Sequence, residues 1–544
     1  MLVADAIAHV LKAEEVQYLF AYPLNPIIDA AAKVGIRPII VRQERTGLHM
    51  ADAFSRVNSG KRIGVFCMQN GPGSENAFGG VAQAYADSVP IVVLPMGNLR
   101  GETHVPPNFD SALNFRHITK SCEQVTLPEA VPQALRRAFT QARNGRPGPA
   151  LVELPSDVLE SEFHGTLEYR PTSSFRCGPD PEAIRTAAAV LLEAERPVLY
   201  AGQGVHYARA WQALHDLVEL LEVPVMTSLG GKSAFPEEHP LALGSGGRSI
   251  PAAVHEFLRR ADVVCGIGCS FKTTLFGVSI PKGKTIIHAT LDPADINKDV
   301  EADCTLIGDA DLTLKALLEE IRTAIGGKPR GRATKVAEEI KSIKQHWLAQ
   351  WQPKLTYDGA PLSPYRVIRD LMHTVDRDNT IITHDSGSPR DQLAPFWEST
   401  TPLSYIGWGK STQLGYGLGL AMGAKLAYPD KLCINVWGDA AIGFTGMDLE
   451  TAVRERIPIL SILFNNFSMA IELKIMAYST QRYRSTDISG DYAAMARAFG
   501  AYGERVEVSD QIIPAIQRGI QQTQDRVPAL LEFITVKEDE YSIY

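Results

Sequence analysis

The chain has 544 residues, more than one hydrophobic core usually organises, so two to four domains are expected. Hydrophobic residues make up 45% and charged residues 21%, with Gly 44 and Pro 34, which fits a folded chain and excludes collagen-like and disordered classes. Its 54 basic and 62 acidic residues, a net charge of -8, offer no footprint for nucleic acid or an anionic membrane, so a small molecule is the expected partner.

Seven cysteines at low density and in odd number argue against a disulfide framework and for a reducing cytoplasm. Cys265 and Cys269 flank Gly-Ile-Gly after an apolar run and have no second Cys or His pair beside them, so they read as buried thiols and not zinc ligands. The first residues carry no basic leader, and no apolar stretch approaches a membrane span, so neither export nor membrane insertion is expected.

In chain order, short β-branched runs alternate with helix-length periodic segments, the pattern of βαβ units around parallel sheets. Strands are predicted at 63–69, 90–97 and 150–154, then at 196–201, 262–267 and 285–291, and finally at 380–384, 432–437, 457–465 and 529–536. A Pro- and Ser-rich stretch at 165–182 separates the first cluster from the second, and a polar stretch at 325–364 with a charged helical segment separates the second from the third. Three α/β domains are expected, at 1–175, 183–325 and 355–544. No short-period repeat is present, which excludes solenoids.

The most informative segment runs from Trp437-Gly438-Asp439-Ala440-Ala441, at the end of one apolar run, to Phe464-Asn465-Asn466, at the end of the next. Asp439 and Asn466 lie 27 residues apart. If the two strands are neighbours in a parallel sheet, both side chains emerge at its carboxyl edge, where open α/β sheets bind ligands. A carboxylate and an amide oxygen there suit magnesium, which keeps few protein ligands and favours a phosphorylated companion. On these residues alone, a turn carboxylate and a loop cap remain open as readings.

Gly438-Asp439-Ala440 followed by Asn465-Asn466 resembles the cofactor motif of the thiamine diphosphate enzymes. The resemblance implies that Asp439, the Asn466 side chain and the Ser468 main-chain carbonyl hold Mg2+ on the diphosphate, with Gly438, Ala440, Ala441 and Met469 around them. It also implies that Gly387-Ser388 offers backbone N–H groups and a hydroxyl to the diphosphate. Ala440 replaces the usual second glycine, which costs little if φ there is negative. Glu44, at a strand end before a helix, falls where the family's glutamate bonds the aminopyrimidine ring and promotes removal of the thiazolium C2 proton. The stretch from Cys67 to Asn76 and then Ala84 to Pro90 resembles acetolactate synthases in order and spacing. In Gly409-Lys410-Ser411-Thr412-Gln413-Leu414-Gly415, Leu414 matches the residue that wedges the cofactor into a V shape, with Gln413 beside it.

Glu472 stands six residues beyond Asn466, a spacing similar to pyruvate decarboxylase, where a glutamate faces the reacting carbon. A solvated position on a helix face is the other reading. The Gln-Trp pair that acetolactate synthases carry after Asn-Asn is absent, and the chain reads Glu472-Leu473-Lys474. The Tyr-Pro-Gly-Gly turn reads Tyr22-Pro23-Leu24-Asn25, and the Phe-Gln-Glu element is replaced around Asn108-Phe109-Asp110, so Leu24, Asn25 and Asn70 become candidate substrate contacts. The flavin-associated element reads Ser270-Phe271-Lys272-Thr273-Thr274, so FAD does not follow from the resemblance. Gly202-Gln203-Gly204 is a weak dinucleotide signal.

The resemblance implies Rossmann-like and flavodoxin-like parallel-sheet domains: pyrimidine-binding, central and diphosphate-binding. It implies an acetolactate synthase-like carboligase or decarboxylase acting with thiamine diphosphate and Mg2+ on 2-keto acids or acyloins, with a keto acid or aldehyde partner. A lyase or C–C hydrolase of 2-hydroxyacyl-CoA or diketone substrates is the alternative. A non-catalytic paralogue is disfavoured by the intact Glu44, Asp439 and Asn466. Family members build each site from two subunits, so a homodimer or dimer of dimers is expected.

Overall fold

The computed structural model describes residues 1–544 except Thr172, Trp408 and Thr412, the last of these inside the stretch that precedes Leu414. Its strands form three six-stranded sheets, every pairing parallel. The first contains β1 (Tyr18–Ala21), β2 (Arg37–Ile40), β3 (Gly64–Met68), β4 (Ile91–Gly97), β5 (Ser121–Gln124) and β6 (Ala150–Pro155), ordered β2-β1-β3-β4-β6-β5. The central sheet contains β7 (Val198–Ala201), β8 (Val225–Ser228), β9 (Ala242–Gly246), β10 (Val263–Ile267), β11 (Thr285–Thr290) and β12 (Cys304–Ile307), ordered β12-β11-β10-β7-β8-β9. The third contains β13 (Thr380–His384), β14 (Tyr405–Ile406), β15 (Leu432–Gly438), β16 (Leu460–Asn465), β17 (Tyr502–Val506) and β18 (Ala529–Ile534), ordered β14-β13-β15-β16-β18-β17.

The first and third sheets therefore share one topology, while the central sheet has the dinucleotide-fold order. Inner strands such as β3, β4 and β16 are buried along their whole length, as parallel strands covered by helices on both faces require. All ten predicted strands are present; the eight others are short or sit at sheet edges.

The outer two domains pack on each other through helix Glu44–Val57 and helix Tyr416–Ala427. Small residues allow this approach: a Cβ on Gly423 would lie 2.2 Å from the Met50 carbonyl oxygen, and one on Gly419 2.5 Å from the His49 Cβ. One hydrophobic cluster consequently runs through both domains, including Leu48, Met50, Leu418, Met422 and Trp437. Inside it, Arg56 bonds Asp52, Asp87, the Tyr416 hydroxyl and the Gly407 carbonyl, so charge burial is compensated across the junction. The segment read from sequence as a polar connector forms helix Ala333–Leu355, and its Trp347, Trp351 and Leu355 pack into the core of the third domain. Among the described residues, no helix is long and apolar enough to cross a membrane.

Candidate active site

In the third sheet the chain goes from β13 outward to β14 and returns on the other side with β15, so the sheet has its switch point between β13 and β15. Ligands of open α/β sheets sit outside the carboxyl ends of such strands. Helix Ser388–Phe396 starts beyond β13 and helix Asp439–Thr445 starts directly after β15. Their N-terminal N–H groups and dipoles favour an anion between them.

β15 and β16 are adjacent, with Gly438 opposite Phe464, so the neighbourhood expected for Asp439 and Asn466 exists. Asp439 Oδ2 accepts the backbone N–H groups of Asn466 and Ser468, each at 3.1 Å, and Oδ1 accepts that of Ala440 at 2.9 Å. Phe467, between the two donors, has φ 56, a left-handed conformation that a bulky side chain adopts only in a constrained turn. Burial pushes the Asp439 carboxyl up to about 6, against those N–H bonds. Ala440 lies in the helix with ordinary negative φ, so its methyl group meets no backbone penalty.

The two asparagines divide their work. Asn465 is buried and bonds Glu532, while its Oδ1 accepts the Phe467 N–H, which holds the loop. Asn466 Oδ1 and Ser468 Oγ are buried without a partner. Unpaired buried oxygens beside a buried carboxylate are costly unless a ligand completes them, and this oxygen-only set fits magnesium. Met469 stays partly exposed, and Ala441 is buried under the loop. Gly387 has φ 84 and ψ -148, a conformation open essentially to glycine alone, which turns the chain into the helix that begins at Ser388. The Ser388 hydroxyl lies 2.9 Å from the Tyr541 hydroxyl.

Glu44 begins helix Glu44–Val57 and is 3% exposed. Burial raises its pKa against a bond from the Asn76 side chain, and the nearby Asp448 adds to the rise. Asp448 also accepts the Arg42 N–H at 2.7 Å, so one carboxylate of the third domain fixes the strand end that delivers Glu44. Among the described residues no hydrogen bond joins Glu44 to Asp439, Asn466 or Ser468.

Leu414 is half-buried against the shared core, and Gln413 donates to the Gly79 carbonyl of the first domain. What fixes their segment is Asp385, which sequence reasoning passed over. It is fully buried, accepts Gly415 N–H at 2.9 Å and Gly417 N–H at 2.8 Å, and is pushed up to about 6 by burial. A lone Asp after a strand was the available signal.

The substrate candidates fare differently. Both Asn25 amide hydrogens go to the Met68 and Leu94 carbonyls, and Oδ1 accepts the Ile27 N–H, so Asn25 braces the carboxyl edge of the first sheet and has no free amide hydrogen for a substrate. Asn70 donates to Asn98, which holds the Phe109 carbonyl. Leu24 is 68% exposed. Glu472 ends a short helical turn, half-exposed, with its carbonyl accepting the Ile475 and Met476 N–H groups.

At the switch point of the central sheet, between β7 and β10, lies a cavity of about 730 Å³. Gln203, Gly204 and Gly268 form its floor, and Arg146, Lys272 and Lys410 reach it from three domains. Among the described residues Lys410 Nζ has no hydrogen-bond or ion-pair partner, and burial pushes it down to about 8.

Family comparison identifies this architecture. Models of the thiamine pyrophosphate enzymes match the chain three times: the N-terminal TPP binding domain at residues 1–126, the central domain at 184–317 and the C-terminal TPP binding domain at 385–533. The chain belongs to the thiamine pyrophosphate (thiamine diphosphate) enzymes. Within them it is of the acetolactate synthase large-subunit type. It is 32% identical, over 98% of its length and 91% of the relative, to the probable acetolactate synthase large subunit of Methanocaldococcus jannaschii. It is 30% identical to the acetolactate synthase isozyme 3 large subunit of Escherichia coli over 98% of its length and 94% of the relative, and 31% identical to the Corynebacterium glutamicum large subunit over 98% and 87%.

Proposed function

We propose that this chain is a carboligase or decarboxylase that makes or breaks the C–C bond next to the carbonyl of 2-keto acids or acyloins, using thiamine diphosphate and Mg2+. The observation that carries the cofactor part of this reading is the unpartnered buried Asn466 Oδ1 beside the N–H-bound carboxylate of Asp439, and the similarity to acetolactate synthase large subunits supports the reaction class. Asp439, Asn466 and the Ser468 carbonyl would hold the metal, and Gly387-Ser388 would face the diphosphate. Bound thiamine diphosphate supplies a carbon nucleophile that also stores the electron pair released when the substrate bond breaks.

The chain's own residues do the rest. Glu44, buried and with its pKa raised by that burial, would exchange a proton with a ring nitrogen. Asp385 and the shared core fix Leu414, and a fixed apolar wedge excludes water and limits ring conformations. Glu472, half-exposed six residues beyond Asn466, would carry protons between solvent and the reacting carbon. The family resemblance implies a homodimer in which each site draws on both copies.

A second reading, a lyase of 2-hydroxyacyl-CoA substrates, is favoured by the central cavity, where Lys410 has no ion-pair partner among the described residues and suits a phosphate of a nucleotide, while Arg146 and Lys272 at the wall are held by Asp295 and Asp299. Purified protein with thiamine diphosphate, Mg2+ and pyruvate, with and without aldehydes, separates the two. CO2 together with an acyloin or acetolactate supports the first reading. Cofactor binding without CO2, and cleavage of a 2-hydroxyacyl-CoA, replaces it with the second.

A further inference from the structure

Residues 536–544 leave β18 and run as a strap across the third domain to the central one. Tyr365 donates its hydroxyl to the Glu540 carbonyl at 2.6 Å, and Trp347 Nε1 donates to Ser542 Oγ at 2.9 Å. Ser542 exchanges two bonds with Ile250 of the central domain, accepting its N–H at 2.8 Å and donating its hydroxyl to the Ile250 carbonyl at 2.7 Å. Tyr544 stacks on His255, with ring centroids 4.7 Å apart. On the side of the metal loop, Asp539 pairs with Lys474, two residues beyond Glu472. Tyr541 sits in the middle of these anchors, with its hydroxyl 2.9 Å from Ser388 Oγ and 3.2 Å from the Glu538 carbonyl.

The phenol has one proton for two acceptors. With that proton on the Glu538 carbonyl, the Ser388 hydroxyl must donate to the phenol oxygen. An anion oxygen that accepts the Ser388 O–H leaves the Oγ lone pairs free to accept, and the phenol O–H can turn from Glu538 to donate to them. We propose that Tyr541 is a positioning residue for the cofactor's diphosphate, acting through the Ser388 hydroxyl at the start of helix Ser388–Phe396. The strap then links the diphosphate seat to the Glu472 segment and to the central domain. This inference rests on the cofactor reading above and adds a residue far from either cofactor motif.

The test is calorimetric titration of the full chain, free of cofactor and in Mg2+, with thiamine diphosphate, with inorganic pyrophosphate alone and with thiamine. Tyr541→Phe removes one oxygen. It is expected to weaken thiamine diphosphate and pyrophosphate by the same factor of about ten and to leave thiamine unchanged. Ser388→Ala is expected to weaken both phosphate ligands, and adding Tyr541→Phe to it should cost less than about twofold more, because the contact is already lost. Ser542→Ala, which loosens the strap without touching Ser388, gives a smaller loss of the same selectivity. Unchanged pyrophosphate affinity in Tyr541→Phe, or multiplicative effects in the double variant, overturns the role of Tyr541 alone. Absence of saturable binding to the unaltered protein overturns the cofactor reading with it.

Discussion

Replacing Asp439 by Asn should stabilise the cofactor-free protein while abolishing its response to magnesium. Burial raises the Asp439 carboxyl from 3.8 to about 6 although three backbone N–H groups favour its charge. That rise of about 2 corresponds to about 3 kcal/mol by which folding at pH 7.5 disfavours the ionised group. The group is 4% exposed, so solvent screening takes little of this away. Because the folded-state pKa lies above the unfolded one, the native state takes up the proton first as pH falls. The stability this group contributes is therefore fully present below about 4 and is lost as pH rises through about 6. Asn is neutral throughout and keeps one oxygen for the Asn466 and Ser468 donors, giving up the bond to Ala440, at about 1 kcal/mol. A net gain of about 2 kcal/mol at pH 7.5 follows, vanishing or reversing at pH 4. Urea unfolding of the cofactor-free protein at both pH values, followed by tryptophan fluorescence, measures it. A variant less stable than the parent at pH 7.5, or a difference independent of pH, would refute the assignment of Asp439 as a carboxylate held charged for a cation.

Arg56→Met should cost about 3–5 kcal/mol, since it strands Asp52 and Asp87 in the junction between the outer domains, and a fall in urea midpoint without a change in slope would check it. Gly423→Ala puts a Cβ 2.2 Å from the Met50 oxygen, so the two helices must separate. Its melting temperature should fall by several degrees, whereas the same change at Gly443, which has open space around it, should leave the melt within about a degree or raise it.

Much of this molecule is legible in the sequence because its inner strands are covered on both faces. Such strands need unbroken apolar runs, and those runs were the ten predicted strands. The others carry weaker signals: β5 is half-buried throughout, β12 alternates, β14 has only two residues and β9 reads Ala-Leu-Gly-Ser-Gly. The Asp439–Asn466 pair was legible because two adjacent parallel strands deliver both side chains to one edge. Asp385, Asp448 and Tyr541 were not, because their partners at Gly415, Arg42 and Ser388 are 30, 406 and 153 residues away and chain spacing does not encode them. Asn25 shows the reverse failure: a polar residue in a motif position serves the backbone.

Glu44 and the Asp439 loop are proposed to act on one cofactor. Their joint action is read from proton–deuteron exchange at C2 of thiamine diphosphate, measured by quenched-flow NMR with the protein and Mg2+. Exchange on the protein much faster than on the free cofactor, lost in Glu44→Gln although the cofactor still binds, is the predicted result. Exchange no faster than in free solution, or unchanged by Glu44→Gln, would contradict it.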